Sequence, residues 1–232
     1  MSDYFAHPKS KPKGRILILH AWWGLNDFFK GLCNRLADEG FTVLAPDLYH
    51  GAIAKTIPEA EKLRKKINRD AASKQILGSL KQLQKEVEGK PIGSIGLSMG
   101  AYWSLWLVEE KPKVFAATVL FYGTRGGEYA KTKSAFLGHF AETDEYVAES
   151  GRKKLEKVLK AAGGEAVFHV YPNTRHWFFE EDRPEYDPQA AHMAWSRTIE
   201  FLRKKLAWTG GENRDHFLVP RKQNAHRSLM HV

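Results

Sequence analysis

The sequence predicts an α/β protein with a mostly parallel central sheet and helices on both faces. Two observations carry this. Short apolar runs rich in β-branched residues alternate with longer amphipathic stretches as far as about residue 208. The runs are also apolar almost without interruption, as strands covered on both faces must be, and the stretches between them are long enough to cross over and return.

Taken in order, "RILILH" (15–20) reads as a strand. "FFKGLCNRLADEG" (28–40) places Phe29, Leu32, Cys33, Leu36 and Ala37 on one helical face and stops at Gly40. Cys33 is therefore expected to be a buried core thiol. "FTVLAP" (41–46) is a strand stopped by Pro46, and a charged helical region spans about 58–88 with an interruption near Asn68. "IGSIGL" (92–97) is a strand running into a helix at 99–110, whose Trp103 and Trp106 read as core. "FAATVLFYG" (115–123) and "SAFLGHF" (134–140) are strands, followed by a helix at 147–164 with a double-glycine stop. "AVFHVY" (166–171) is the last strand. The final helix, 187–208, opens on an Asp-Pro cap and first turn. Residues 1–208 are read as a single domain and 209–232 as a basic, loosely ordered C-terminal extension.

Composition narrows the function. The formal charge is +9, from 36 basic and 27 acidic residues, but both signs are interspersed and no nucleic-acid motif accompanies them. A nucleic-acid partner is not expected. No apolar run approaches the roughly 18 residues of a membrane span, and the N-terminal stretch lacks the apolar segment of a secretory signal. One cysteine excludes an internal disulfide and any multi-cysteine metal site. The expectation is a cytoplasmic protein with no metal and no cofactor, acting on a small molecule.

In parallel α/β sheets, ligands bind beyond the carboxyl ends of the strands. That edge collects residues 20–25, 46–51, 98–100, 122–127, 141–147 and 172–179. "GLSMG" (96–100) lies where a strand meets a helix, the context of a nucleophile elbow. Ser98 would be the nucleophile, with the helix N-terminus behind it favouring a developing oxyanion. A serine hydroxyl needs a base, and the base needs an orienting acid. Among ten histidines, His176 in "YPNTRHWFF" follows the last strand on that edge. His20 and His139 also end strands there and read as packed or loop-shaping residues. The acid should follow an intervening strand, where Glu142, Asp144 and Glu145 occur; Asp144 leads, with Glu142 second. Oxyanion donors are expected from the N–H of Met99 and from that of Trp22 or Trp23. The edge aromatics Trp22, Trp23, Tyr122, Trp177 and Phe178 are placed to line an apolar acyl or aryl pocket.

Six ordered blocks carry a resemblance: "ILHAWWGLNDFFKGLCNRLADEGFTVLAPDLYHG", "GLSMG", "VLFYG", "GHFAETDEYV", "YPNTRHWFF" and "YDPQAAHMAWSRTIEFLRKKL". Together they resemble the dienelactone hydrolase family of α/β-hydrolases from about Arg15 to Leu206. The resemblance implies a triad of Ser98, Asp144 and His176 and an oxyanion hole from the Trp22 and Met99 N–H groups. The founding members carry a cysteine at the elbow and a glutamate, at the position of Ala21, that interacts with it. Serine with alanine is coherent, because a hydroxyl activated by His176 has no thiolate to manage. Arg64 and Arg69 lie in the region from which the founders draw an arginine that grips the substrate carboxylate. The implied function is a serine hydrolase cleaving small carboxylic esters or lactones through an acyl-enzyme. The alternative is a non-catalytic binding or regulatory protein that keeps the fold.

Overall fold

Alternate residues of one short run, "RILIL", serve two separate cores. Ile16 and Ile18 pack with the helices on one side of the sheet, and Leu17 and Leu19 with those on the other. The computed structural model describes residues 3–86 and 89–207, so the extension at 209–232 lies outside the described residues. Its strands are β1 (Tyr4–Ala6), β2 (Gly14–Leu19), β3 (Phe41–Ala45), β4 (Ile92–Leu97), β5 (Phe115–Phe121), β6 (Ala135–Ala141) and β7 (Ala166–Tyr171). Its helices are α1 (Asp27–Asp38), α2 (Ile57–Lys66), α3 (Arg69–Glu86), α4 (Met99–Glu110), α5 (Glu149–Ala161) and α6 (Pro188–Lys205).

The strands form one sheet in the order β1-β3-β2-β4-β5-β6-β7. Only β1 runs antiparallel to its neighbour among these pairs. Residues of α1 and α6 fill one core, and residues of α3, α4 and α5 fill the other. Cys33 on α1 is fully buried, and burial pushes its thiol up to about 12. The sequence reading missed β1, a three-residue edge strand paired Tyr4 to Ala45. The expected interruption near Asn68 is a real break: Ile67 is extended, and the Asn68 side chain accepts from the Ala71 N–H at 3.0 Å to open α3. The α2 start carries a reciprocal cap between Thr56 and Glu59. Among the described residues, no helix is long and apolar enough to cross a membrane.

The strand order reverses at β2, which has β3 on one side and β4 on the other. Leu19 is in register with Gly96. The segments leaving these two strands therefore diverge around a crevice, the place where such sheets bind ligands.

Candidate active site

Ser98 occupies the turn between β4 and α4 with φ +53° and ψ −112°, a backbone region that side-chain-bearing residues rarely adopt. Backbone bonds hold it there. Its N–H donates to the Phe121 carbonyl at 2.9 Å, and its carbonyl accepts from the Ala101 N–H at 2.9 Å and the Tyr102 N–H at 3.3 Å. The flanking glycines are a steric requirement. A Cβ on Gly96 would lie 2.3 Å from the Gly100 carbonyl oxygen, and one on Gly100 would lie 1.8 Å from that of Leu19. The motif is thus what lets α4 start directly against β2.

The Ser98 Oγ lies 2.9 Å from Nε2 of His176, which arrives in the segment after β7. Nδ1 of the same ring lies 2.9 Å from Oδ1 and 2.7 Å from Oδ2 of Asp144, in the segment after β6. Asp144 is itself fixed, because its Oδ1 accepts from the backbone N–H groups of Tyr146 at 2.8 Å and Val147 at 2.9 Å. The His176 and Asp144 side chains are only 4% and 5% exposed, so their interaction is weakly screened. A carboxylate can only accept, so it draws the proton to Nδ1 and leaves Nε2 free to accept from the serine.

The rival acids are elsewhere. Glu142 is exposed, and its carboxylate accepts from the Asn173 N–H at 2.9 Å. Glu145 is exposed beside a small recess of about 40 Å³. The rival histidines are packed. His20 is fully buried; its Nδ1 donates to the Ala21 carbonyl at 2.6 Å and its Nε2 accepts from the Leu48 N–H at 3.1 Å. Burial lowers its pKa, and these two bonds require the neutral ring. His139 is buried between the Tyr171 hydroxyl and the Thr198 hydroxyl.

Ser98 opens onto a cavity of about 480 Å³. Trp22 and Met99 border it, as do Tyr102, Trp103 and Tyr146. The far wall comes from the α2–α3 junction: Glu61, Arg64, Ile67 and Arg69. The backbone N–H groups of Trp22 and of Met99, the first residue of α4, donate to no described residue. Trp23 does not border this cavity, whereas Trp22 does.

The expected pocket lining needs correction. Trp23, Tyr122, Trp177 and Phe178 are nearly or fully buried and do not line the cavity at Ser98. They pack beneath and behind it. Trp177 stacks on Trp22 at 5.8 Å and sits 5.1 Å from Trp23, and Tyr122 lies 4.8 Å from the His176 ring. Phe178 wedges between Tyr122 and Tyr171. Trp103, read as core, is mostly buried but closes one wall. Tyr146 was not foreseen. Its only sequence signal is its place two residues past Asp144, where its ring covers His176 at 4.9 Å. Among the described residues, no group of three or more His, Cys, Asp or Glu side chains converges to hold a metal ion.

Known proteins share this arrangement of elements. The sequence profile of the dienelactone hydrolase family matches residues 1–206. The protein usf of Aquifex pyrophilus is 32% identical over 218 residues, covering 88% of this chain and 93% of that protein. Two solved structures show the shared fold. A dienelactone hydrolase-like promiscuous phosphotriesterase from metagenomic libraries has a TM-score of 0.75 at 22% identity, over 88% of this chain and 92% of that one. The acylaminoacyl peptidase of Pyrococcus horikoshii has a TM-score of 0.71 at 16% identity, over 91% of this chain and 40% of that one. With its profile matched across nearly the whole described chain and its sheet, elbow and crevice in place, the chain belongs to the dienelactone hydrolase family.

Proposed function

We propose that the chain is a serine hydrolase cleaving small carboxylic esters or lactones through an acyl-enzyme on Ser98. Family membership makes it an ester-bond hydrolase. The finer reading is supported above all by the continuous hydrogen-bonded path from Ser98 through His176 to Asp144 at the mouth of a cavity. In this reading the Ser98 oxygen attacks the substrate carbonyl carbon while Nε2 of His176 takes the hydroxyl proton. The carbonyl oxygen becomes an oxyanion facing the N–H groups of Met99 and Trp22, with the α4 dipole adding positive potential. Collapse of the intermediate breaks the bond to the alcohol, which leaves with the proton from His176. Water, giving a proton to the same nitrogen, then attacks the acyl-serine and releases the acid.

A fluorophosphonate probe tests this directly. It is expected to add once per chain, on the tryptic peptide that contains Ser98. An adduct on any other residue, or none, would overturn the assignment.

The cavity wall supports a narrower substrate class. Arg64 and Arg69 share this wall with Glu61, two cations to one anion. This favours an acyl group that carries its own carboxylate. Both arginines are exposed, so each contributes no more than about 1 kcal/mol, or roughly fivefold in binding. Arg64→Ala is expected to raise KM for the mono-p-nitrophenyl ester of adipic acid by about threefold to fivefold. The chain-matched hexanoate ester, which lacks the charge, should change little. Equal changes for both esters would remove the anionic preference.

A further inference from the structure

Glu180 follows His176 by four residues and is fully buried. Its Oε1 accepts from the Tyr122 hydroxyl at 2.8 Å, while its Oε2 has no hydrogen-bond partner among the described residues. Its backbone N–H donates to the Trp177 carbonyl at 2.9 Å. The Glu180 side chain therefore holds Tyr122, its backbone closes the Trp177 turn, and both of those residues are strained. Tyr122 has φ +35° and Trp177 has φ +68°, conformations that bulky side chains hold only where the surroundings over-determine them. These two residues bracket the imidazole, with ring centroids 4.8 Å and 4.9 Å from that of His176.

The surroundings favour the uncharged carboxyl. Desolvation dominates, Tyr122 supplies the one hydrogen bond, and the charged groups acting on Glu180 are Asp182, Arg183 and Glu185. Arg183 is committed elsewhere: its guanidinium pairs with Asp182 at 2.9 Å and lies 4.2 Å over the Trp23 ring. A buried carboxylate with one donor and no cation in contact is disfavoured. Its pKa is pushed up to about 8. The Tyr122 phenol is raised well above its ordinary value, first by burial and then by Glu180, so it keeps its proton throughout.

We propose that Glu180 is a positioning residue for His176: its neutral, buried carboxyl holds the Tyr122 hydroxyl and with it the Tyr122 ring against the imidazole, and a charge placed in that buried site loosens the packing and lowers turnover. This rests on the serine-hydrolase reading. The sign follows from a folded-state pKa above the ordinary carboxylate value. The stabilisation is complete below the ordinary range near 4.5 and is lost as pH rises through about 8.

The test is the pH dependence of kcat, corrected for spontaneous hydrolysis, between about pH 6 and 9.5 for wild type, Glu180→Gln and Glu180→Ala. Wild-type kcat is expected to fall about tenfold on the alkaline side with a midpoint near the Glu180 value. Glu180→Gln, a neutral isostere that can still accept from Tyr122, should match wild type at pH 7 within about twofold and stay flat above pH 8. Glu180→Ala should lose about tenfold in kcat at pH 7 with KM nearly unchanged. An alkaline limb that persists in Glu180→Gln would overturn the proposal, as would a Gln variant as impaired at pH 7 as the Ala variant. If Glu180→Ala fails to fold by circular dichroism, the Gln profile alone decides. Fluorophosphonate labelling of the wild type separates the two readings. A labelled Ser98 with a Gln profile like wild type defeats only the role of Glu180, whereas an unlabelled Ser98 defeats the hydrolase mechanism itself.

Discussion

Ser98→Ala is expected to lower ester hydrolysis by about five to six orders of magnitude, because loss of the nucleophile in comparable triads costs on the order of 10⁶ in kcat. Among the described residues, the His176 ring nitrogens bond only to Ser98 and Asp144. Cys33 lies on α1, fully buried, with its thiol pushed up to about 12, so no thiolate forms at neutral pH. The fold should survive. The Ser98 side chain bonds only to His176, and alanine inherits the same backbone strain at φ +53° without adding to it. Steady-state kinetics with freshly purified protein, alongside a thermal melt, measures both quantities. A variant that keeps more than about a hundredth of the wild-type rate would show that another group performs the attack.

Asp144→Asn should lower kcat by about three to four decades, the loss associated with a misoriented histidine tautomer. The geometry gives the reason for expecting so large a loss. Oδ1 accepts from the Tyr146 and Val147 N–H groups, so the amide oxygen must take that place. The amide nitrogen then falls where Oδ2 stood, 2.7 Å from Nδ1 of His176. It donates, which forces the proton onto Nε2 and removes the acceptor that Ser98 needs. Glu142→Gln, by contrast, alters an exposed contact to the Asn173 N–H and should change the rate by less than about tenfold. Kinetics on both variants, with circular dichroism to confirm folding, decides between them. A crippling Glu142→Gln with a mild Asp144→Asn would reassign the acid.

How much of this was legible depends on what each residue reports. The strands β2 to β6 announced themselves because both of their faces are covered, which leaves a nearly unbroken apolar run, while β7, partly exposed at the sheet edge, was readable from its β-branched and aromatic residues. β1 did not, since three residues carry no periodicity and its placement depends on the exposed edge of β3. Asn68 was readable as a break because its amide is a natural helix opener. Ser98, Asp144 and His176 could be picked out because they follow the ends of β4, β6 and β7 on one edge of the sheet, with chain order favouring Asp144 over Glu142. The lining of the cavity could not. An aromatic residue in an edge loop is known to be near the site, but the local backbone decides whether it turns toward the opening or into the protein. The positive φ values of Tyr122 and Trp177 fall at two of the four positions where that inference failed. The true far wall came from a charged helical pair that reads, residue by residue, as solvent-facing.

The α2–α3 pair has a consequence beyond shape. It is inserted between β3 and β4, and its junction supplies the arginines and Ile67 that face Ser98 across the opening. Ser98, Met99 and Trp22, the proposed nucleophile and oxyanion donors, are carried instead just past the ends of β4 and β2, locked in register by the sheet. On the proposed mechanism, what the enzyme selects and how it reacts are therefore written on different stretches of chain. Residues 57–69 become an exchangeable cassette: a grafted junction of another charge or width would retune selectivity and leave the reacting groups where the sheet holds them.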